Sequence, residues 1–390
     1  MKSLTLYPHQ EKFLKENPNK ALLAWDTGTG KSLAAMEWMK KRPNEYFVII
    51  VPKNIKAKWL KDIESMDPLR VLLLTKEEFK TFPSRNWSGI VVDEADFFGS
   101  ALFKKGRSEL SEKLYNDIMH NNIEHVLLMT ATPFRNQPHT IHSLFSYLDL
   151  APTWKDWQSK HYALVRRPYN PRPFYEPKKY WRISALSFAL PRMYTAKISD
   201  ISTVPEQHNE QIDIPTEVPV NVHEDNAVKE WHAYARAENG KEKLDWIKNY
   251  LQGKSKVVVV CRYKEQIAMY AKELAKETEV FVLTGDVKDQ GEVIEQAKKS
   301  FECVFLIQAS IGAGFQLAEN PNKCKENGYY NFSHMIFASM SFSHRDYVQM
   351  KGRILRGDAL QENWYVHVLG GKKDEAVYKV VMKGEDFNIE

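Results

Sequence analysis

Short runs that are apolar throughout recur along the first part of the chain, at Ala21–Trp25, Phe47–Val51, Val71–Thr75, Ile90–Val92 and His125–Met129. The stretches between them carry helical spacing instead. A strand that is apolar at every position, rather than at alternate ones, is a strand covered on both faces, as in a parallel sheet sandwiched by helices. The same rhythm returns at Val257–Cys261, Val280–Thr284, Val304–Ile307, Met335–Ser339 and Trp364–Leu369. The pattern therefore predicts an α/β protein of two doubly wound parallel-sheet lobes.

Between the two sets, from about Pro152 to Pro219, the periodicity gives way to proline-rich and aromatic-rich sequence such as Arg166–Pro173. A long insertion inside a compact fold is more often functional than idle. The expected organisation is lobe one over 1–150, a helical, basic and aromatic protrusion of that lobe over 151–201, an inter-lobe linker over 202–222 and lobe two over 223–390. The linker is read from a polar stretch carrying Pro205, Pro215 and Pro219.

The length of 390 residues suits two domains, and 43% apolar with 27% charged residues excludes collagen-like, coiled-coil and wholly disordered chains. No apolar run approaches the roughly 20 residues of a membrane helix. Met1–Tyr7 shows no basic segment leading into an apolar one, so no secretory signal is visible and a cytoplasmic, nucleoid-associated protein of a bacterial or phage-infected cell is expected. Cys261, Cys303 and Cys324 are widely spaced and include no Cys-x-x-Cys pair, which argues against a disulfide framework or zinc cluster. The net charge of +5 is concentrated: 151–200 holds ten Lys or Arg against Asp156, Glu176 and Asp200, and the remainder is slightly acidic.

Three motifs carry chemistry. Trp25-Asp26-Thr27-Gly28-Thr29-Gly30-Lys31-Ser32 lies between a strand and a helical pattern, with Trp25 in place of the first glycine of a strict phosphate loop. Its glycines let backbone N–H groups close on phosphates, Lys31 offers a point charge, and Ser32 can ligate Mg²⁺. Asp93-Glu94 ends another strand, where Asp93 can hold the Mg²⁺ shell and Glu94 can orient and deprotonate water. Gln349–Arg356 spaces Arg353 and Arg356 on one helix face, able to reach a γ-phosphate.

Taken in order, Tyr7-Pro8-His9-Gln10, the Gly28–Ser32 loop, Val51-Pro52-Lys53, Asp93–Asp96, Met129–Asn136 and Gln349–Arg356 resemble the superfamily-two helicase motors, and the Swi/Snf branch in particular. The Swi/Snf likeness rests on Thr130–Asn136, Leu144–Leu148 with Trp154–Trp157, and Gly312–Leu317. The resemblance implies two RecA-like lobes that hydrolyse ATP in the cleft between them and step along double-stranded or branched DNA. It makes Gln10 the adenine reader and Thr27, Gly28, Thr29, Gly30, Lys31, Ser32, Gly314 and Gln349 nucleotide contacts. Thr130 and Thr132 would link the ATP site to the nucleic acid, while Gly312, Gln316 and Asp346 would belong to the second lobe's ATP and backbone elements. DNA contacts would include Lys53, Thr132, Thr284 and Ser310. The chain departs from the family at Ile311, at Met193-Tyr194 and in an insertion over Glu319–Ser333.

Ten aromatics are interleaved with the basic residues of 151–200, a composition suited to phosphates and exposed bases. DNA contact is expected of Arg166, Arg167 and Arg172, and core packing of Trp154, Trp157 and Tyr162. Asp93–Asp96 also spells an RNA-helicase signature, but Thr130–Thr132 and Gly352–Arg356 do not fit that family's other motifs, so RNA ranks below DNA. A strand-separating or branch-migrating helicase is the alternative enzyme, and an ATP-gated nucleic-acid clamp with little turnover the alternative class.

Overall fold

A computed structural model of the chain describes residues 6–65, 69–100, 108–134, 137–166, 173–189, 192–200, 205–216, 227–311, 315–318, 324, 326, 328, 330–355 and 362–387. The chain forms two compact units, Met1–Ile201 and Ser202–Glu390.

In the first unit, β1 (Lys20–Trp25), β2 (Phe47–Val51), β3 (Val71–Thr75), β4 (Gly89–Asp93) and β5 (His125–Met129) pair in parallel. Successive side chains leave a strand on opposite faces. Val126 and Leu128 accordingly enter one core with Leu22, Val48 and Ile90, while Leu127 and Met129 enter another with Leu23, Ile49 and Val91. Helices Pro8–Glu16 and Lys31–Lys40 cover the second of these faces, and Glu109–His120 and Pro138–Tyr147 the first.

The segment expected to be a helical protrusion is mixed. Helix Trp154–His161 leads into an antiparallel hairpin of β6 (Tyr162–Val165) and β7 (Phe174–Pro177), then helix Trp181–Ala189. Trp157 and Tyr162 lie in the first core with Trp154 packed against it, and the Trp157 indole N–H donates to the Pro138 carbonyl at 3.1 Å. The segment then returns to the sheet: β8 (Met193–Ala196) pairs in parallel with β1, completing the order β3-β2-β4-β5-β1-β8. Met193 and Tyr194 are strand residues there, and Tyr194 hydrogen-bonds Glu16 at 2.7 Å.

The second unit repeats the architecture with β9 (Gln207–Asp213), β10 (Lys256–Cys261), β11 (Val280–Leu283), β12 (Cys303–Gln308), β13 (His334–Phe337) and β14 (Asn363–Leu369), all parallel in the order β11-β12-β10-β13-β14-β9. Val258, Val260, Phe305 and Ile307 pack on one face and Val257, Val259, Val304 and Leu306 on the other. Part of the expected linker is corrected here. Gln207–Asp213 is an edge strand in register with Asn363–Leu369, held by backbone pairing that a polar sequence makes as well as an apolar one. All three cysteines are buried thiols. No helix among the described residues is long and apolar enough to cross a membrane.

Candidate nucleotide-binding site

Strand β1 ends at Trp25, and residues 26–30 turn directly into helix Lys31–Lys40. Gly28 and Gly30 take φ of 86° and 80°, the left-handed region that a side chain resists. At Gly30 a Cβ would also meet the Gln10 amide nitrogen, which would have to give up its bond to Gly30 O. The Thr29 hydroxyl donates to the Asp26 carbonyl at 2.8 Å and tightens the turn. Lys31 donates through Nζ to the carbonyls of Trp25 (2.8 Å) and Asp26 (3.0 Å), which keeps the ammonium inside the loop.

Two segments hold this loop from outside. The Gln10 amide nitrogen donates to Gly30 O at 3.1 Å and faces Thr29 O at 3.4 Å, while its oxygen accepts from the Tyr7 N–H at 2.8 Å. His9 Nε2 lies 2.9 Å from the same Thr29 carbonyl, and burial holds this imidazole below its usual pKa, so the ring is neutral and donates there. Elsewhere around the loop, the Asp26 N–H donates to Ala196 O at 2.9 Å and the Asp26 carboxylate accepts from the Ile198 N–H at 3.1 Å. Trp25, in place of the usual glycine, directs its ring into the core against Phe13 and His9.

The carboxylate pair ends β4, whose register sets Asp93 opposite Met129 of β5, itself opposite Leu23 of β1. The phosphate loop and Asp93-Glu94 therefore share the carboxyl edge of one sheet, where open α/β sheets bind ligands. Asp93 accepts from the Trp59 indole N–H and from the Glu94 N–H, both at 3.0 Å. Burial and the Glu94 charge raise its pKa, against the pull of the Lys31 ammonium, which is felt across the edge. A carboxylate and the Ser32 hydroxyl are hard oxygen donors, the set Mg²⁺ prefers, and the raised pKa marks a carboxylate that a cation would stabilise.

Glu94 itself has φ 51°, starting a 3₁₀ turn over Ala95–Phe98. From that turn, buried Asp96 accepts from the Thr130 hydroxyl at 3.2 Å, and that hydroxyl accepts from the Thr132 N–H at 3.0 Å. A polar chain thus joins the carboxylate turn of β4 to the loop after β5. Lys53 is exposed in the turn after β2.

In the second unit, Thr284 and Ser310 follow adjacent strands β11 and β12 and share its carboxyl edge. Gln349 is buried in helix His344–Lys351. Asp346 accepts from the Ser341 hydroxyl at 2.8 Å, and Gln316 donates to Leu355 O at 3.0 Å. The helix expected to carry both arginines stops at Lys351, with Gly352 as its cap. Arg353 is buried in the following turn, donating to Gln349 O at 2.9 Å and to Phe315 O. Gly312, Gly314, Arg167, Arg172 and Arg356 lie outside the described residues, as does most of the Glu319–Ser333 insertion. Sequence reasoning missed Trp59 and Ile198 and gave no separate role to His9 and Asp26 within their motifs, because these roles come from tertiary neighbours.

No protein-family model and no curated protein matches the sequence. Solved structures do match. Dbp5 of S. cerevisiae bound to RNA and ADP BeF3 aligns at 13% identity over 98% of this chain and 88% of its own, with a TM-score of 0.58. The Hef helicase domain of Pyrococcus furiosus aligns at 12% identity over 95% and 97%, with a TM-score of 0.51. The SWI2/SNF2 ATPase core of Sulfolobus solfataricus, in complex with dsDNA, aligns at 15% identity over 97% and 91%, with a TM-score of 0.44. With the two parallel sheets, the first two of these likenesses show a fold of two RecA-like lobes.

Proposed function

We propose that the protein is an ATP-hydrolysing motor that moves along nucleic acid, with duplex DNA as its track. The observation that carries this reading is the shared carboxyl edge on which the Gly28–Ser32 loop, Asp93-Glu94 and Thr130–Thr132 converge. In this reading Gly28 and Gly30 leave backbone N–H groups open to phosphate, and the helix that follows adds its N-terminal dipole. Lys31 exchanges the carbonyls of Trp25 and Asp26 for phosphate oxygens. Ser32 and Asp93 would hold Mg²⁺, which supplies neutralising charge to the β- and γ-phosphates when bound. Glu94 positions the attacking water and takes its proton.

The chain Asp96–Thr130–Thr132 offers the route by which the state of the carboxylate turn reaches the loop after β5. Lys53, Thr132, Arg166, Thr284 and Ser310 are proposed backbone contacts. Arg353 and Arg356 are proposed to neutralise the transferring phosphoryl group, and Arg353 has a structural duty besides, since it ties Phe315 to the end of its own helix. DNA is preferred to RNA on the motif resemblance and on the basic charge of 151–200.

The test is the ATPase rate of the full chain with duplex, single-stranded and branched DNA and with RNA at equal nucleotide concentration. Duplex-containing DNA is expected to stimulate most. Hydrolysis indifferent to every nucleic acid would remove the motor reading, and stronger stimulation by RNA would replace the substrate.

A further inference from the structure

The insertion between β5 and β8 leaves apolar side chains in water at its outer end. In the hairpin, Leu164 and Tyr175 are cross-strand partners, 56% and 48% exposed. Tyr162, two residues along the same face, is buried and meets the Tyr175 ring edge-on at 6.4 Å, so this face runs from core to solvent. In the next helix Trp181 and Ala185 are buried, whereas Ile183 (70% exposed) and Leu186 project from the other side, and Tyr180 (66%) stands just before them. Leaving aliphatic and aromatic groups exposed in this way costs about 25 cal/mol per Å² of apolar surface relative to covering them.

The charge around them says what that cover is. Arg166 is exposed directly after β6, and Lys178 and Lys179 directly after β7. Lys179 holds its ammonium 5.5 Å from the Tyr180 ring centroid. The acid of this stretch, Glu176, pairs with Ala163, and alternation puts that pair on the opposite face from Leu164 and Tyr175. Cations beside open aromatic faces match a polyanion that also offers flat apolar surface. A continuous duplex offers only the first, because its bases are stacked inside, whereas a strand with unpaired bases offers both.

We propose that this hairpin and helix form a binding surface for unpaired bases where they adjoin a duplex, so that the motor's substrate is a duplex–single-strand junction. The place of this surface in a hydrolytic cycle rests on the motor reading above; its binding chemistry does not. Tyr175 and Tyr180 stack on bases, Leu164 and Ile183 cover their edges, and Arg166, Lys178 and Lys179 neutralise the flanking phosphates.

The test uses the full chain without ATP, a DNA fork carrying 2-aminopurine at its first unpaired positions, and a blunt duplex of the same sequence. The parent should bind the fork about tenfold more tightly than the duplex and quench the 2-aminopurine, in line with the usual worth of base–aromatic stacking. Tyr175→Ala and Tyr180→Ala, both at exposed positions, should each lose most of that preference and quenching, with blunt-duplex affinity within about twofold and the melting temperature unchanged. Leu164→Ser provides a non-aromatic control that should weaken fork binding less. Equal binding of fork and duplex by the parent, or quenching that survives both tyrosine variants, would overturn the proposal. So would a parent that sediments as a dimer and becomes monomeric in these variants, for then a second copy covers the face. Fork preference without DNA-stimulated hydrolysis would remove the motor reading and leave this surface standing; stimulated hydrolysis without fork preference would do the reverse.

Discussion

Glu94 adopts φ 51° and ψ 50°, a left-handed backbone that costs a non-glycine residue on the order of 1 kcal/mol or more. The surrounding bonds hold it there: its N–H donates to Asp93, and its carbonyl accepts from Phe97 at 3.1 Å. Replacing Glu94 with Gln is expected to keep that geometry and to remove only the proposed base. Turnover should fall by at least about a hundredfold while ATP still binds, whereas Lys31→Ala should lose both. Single-turnover hydrolysis alongside equilibrium ATP binding separates the two, and near-parent turnover by Glu94→Gln would withdraw the base assignment.

Two buried histidines give the protein an acid sensitivity of its own. His367 sits between Glu210 O at 3.2 Å and the Tyr347 hydroxyl at 3.1 Å, and burial holds its pKa down to about 4, as it does that of His142 in the first unit. Unfolded, each would take up a proton near pH 6.5. The unfolded chain therefore binds more protons between about pH 6.5 and 4, and stability falls as pH drops through that window, by roughly 1.4 kcal/mol per unit for each fully buried ring. Thermal unfolding from pH 7 to 4.5 should show this slope, and His367→Gln should flatten it in part, with His142 and His334, also held down to about 4, contributing the rest; an unchanged slope in the variant would remove His367 from the account.

At the scale of elements, β9 is the clearest case of pairing without an apolar sequence. The Ile214 N–H donates to Leu369 O at 2.8 Å, and along a parallel ladder every second amide faces the partner strand. By that parity the amide of Glu210 points into the ladder with β14 and that of Gln211 points away. Glu210→Pro should thus destabilise the second unit by roughly 3 kcal/mol, and Gln211→Pro by much less, measured as denaturant midpoints. Equal losses would mean that β9 contributes little to the sheet.

Ten of the strands were legible because burial on both faces leaves continuous apolar runs such as Val257–Cys261, all of whose residues are buried. Strands β6 to β9 were not, since Tyr162–Val165, Phe174–Pro177, Met193–Ala196 and Gln207–Asp213 lack the long apolar run of a strand covered on both faces, and Pro205 and Pro215 around β9 mimic a linker. The site divides in the same way. Its glycines, lysine and carboxylates show in sequence because their chemistry demands those residue types. Trp59 is buried in helix Lys56–Glu64, and nothing in its sequence surroundings says that its indole N–H meets Asp93. Arg353 lies outside the helix that its spacing predicts, since Gly352 ends that helix before it.

At the scale of the whole molecule, the basic excess of 151–200 turns a local composition into a measurable salt dependence. Each Lys or Arg that neutralises a duplex phosphate adds about 0.9 to the slope of log affinity against log salt. Replacing Arg166, Arg167 and Arg172 together with Ala should flatten that slope by about 2 to 3 while leaving sequence preference unchanged. Titrations with a blunt duplex at several salt concentrations would show it, and an unaltered slope would make these arginines structural.

The seating of β1 has a consequence for how the chain is made. This strand, which ends in the phosphate loop, emerges from the ribosome first, yet its neighbours in the sheet arrive much later: Lys20 pairs with Val126, and Leu22 with Met193. At about 5–20 residues per second, the strand waits on the order of 10 to 35 s for its second edge to be covered. The loop's supports at Ala196 and Ile198 come later still, so the first unit cannot complete a nucleotide site until its last strand is synthesised. Until β5 arrives both edges of this strand are open on the nascent chain, and until β8 arrives one still is, a period in which a chaperone's hold on this segment would decide the yield of folded protein.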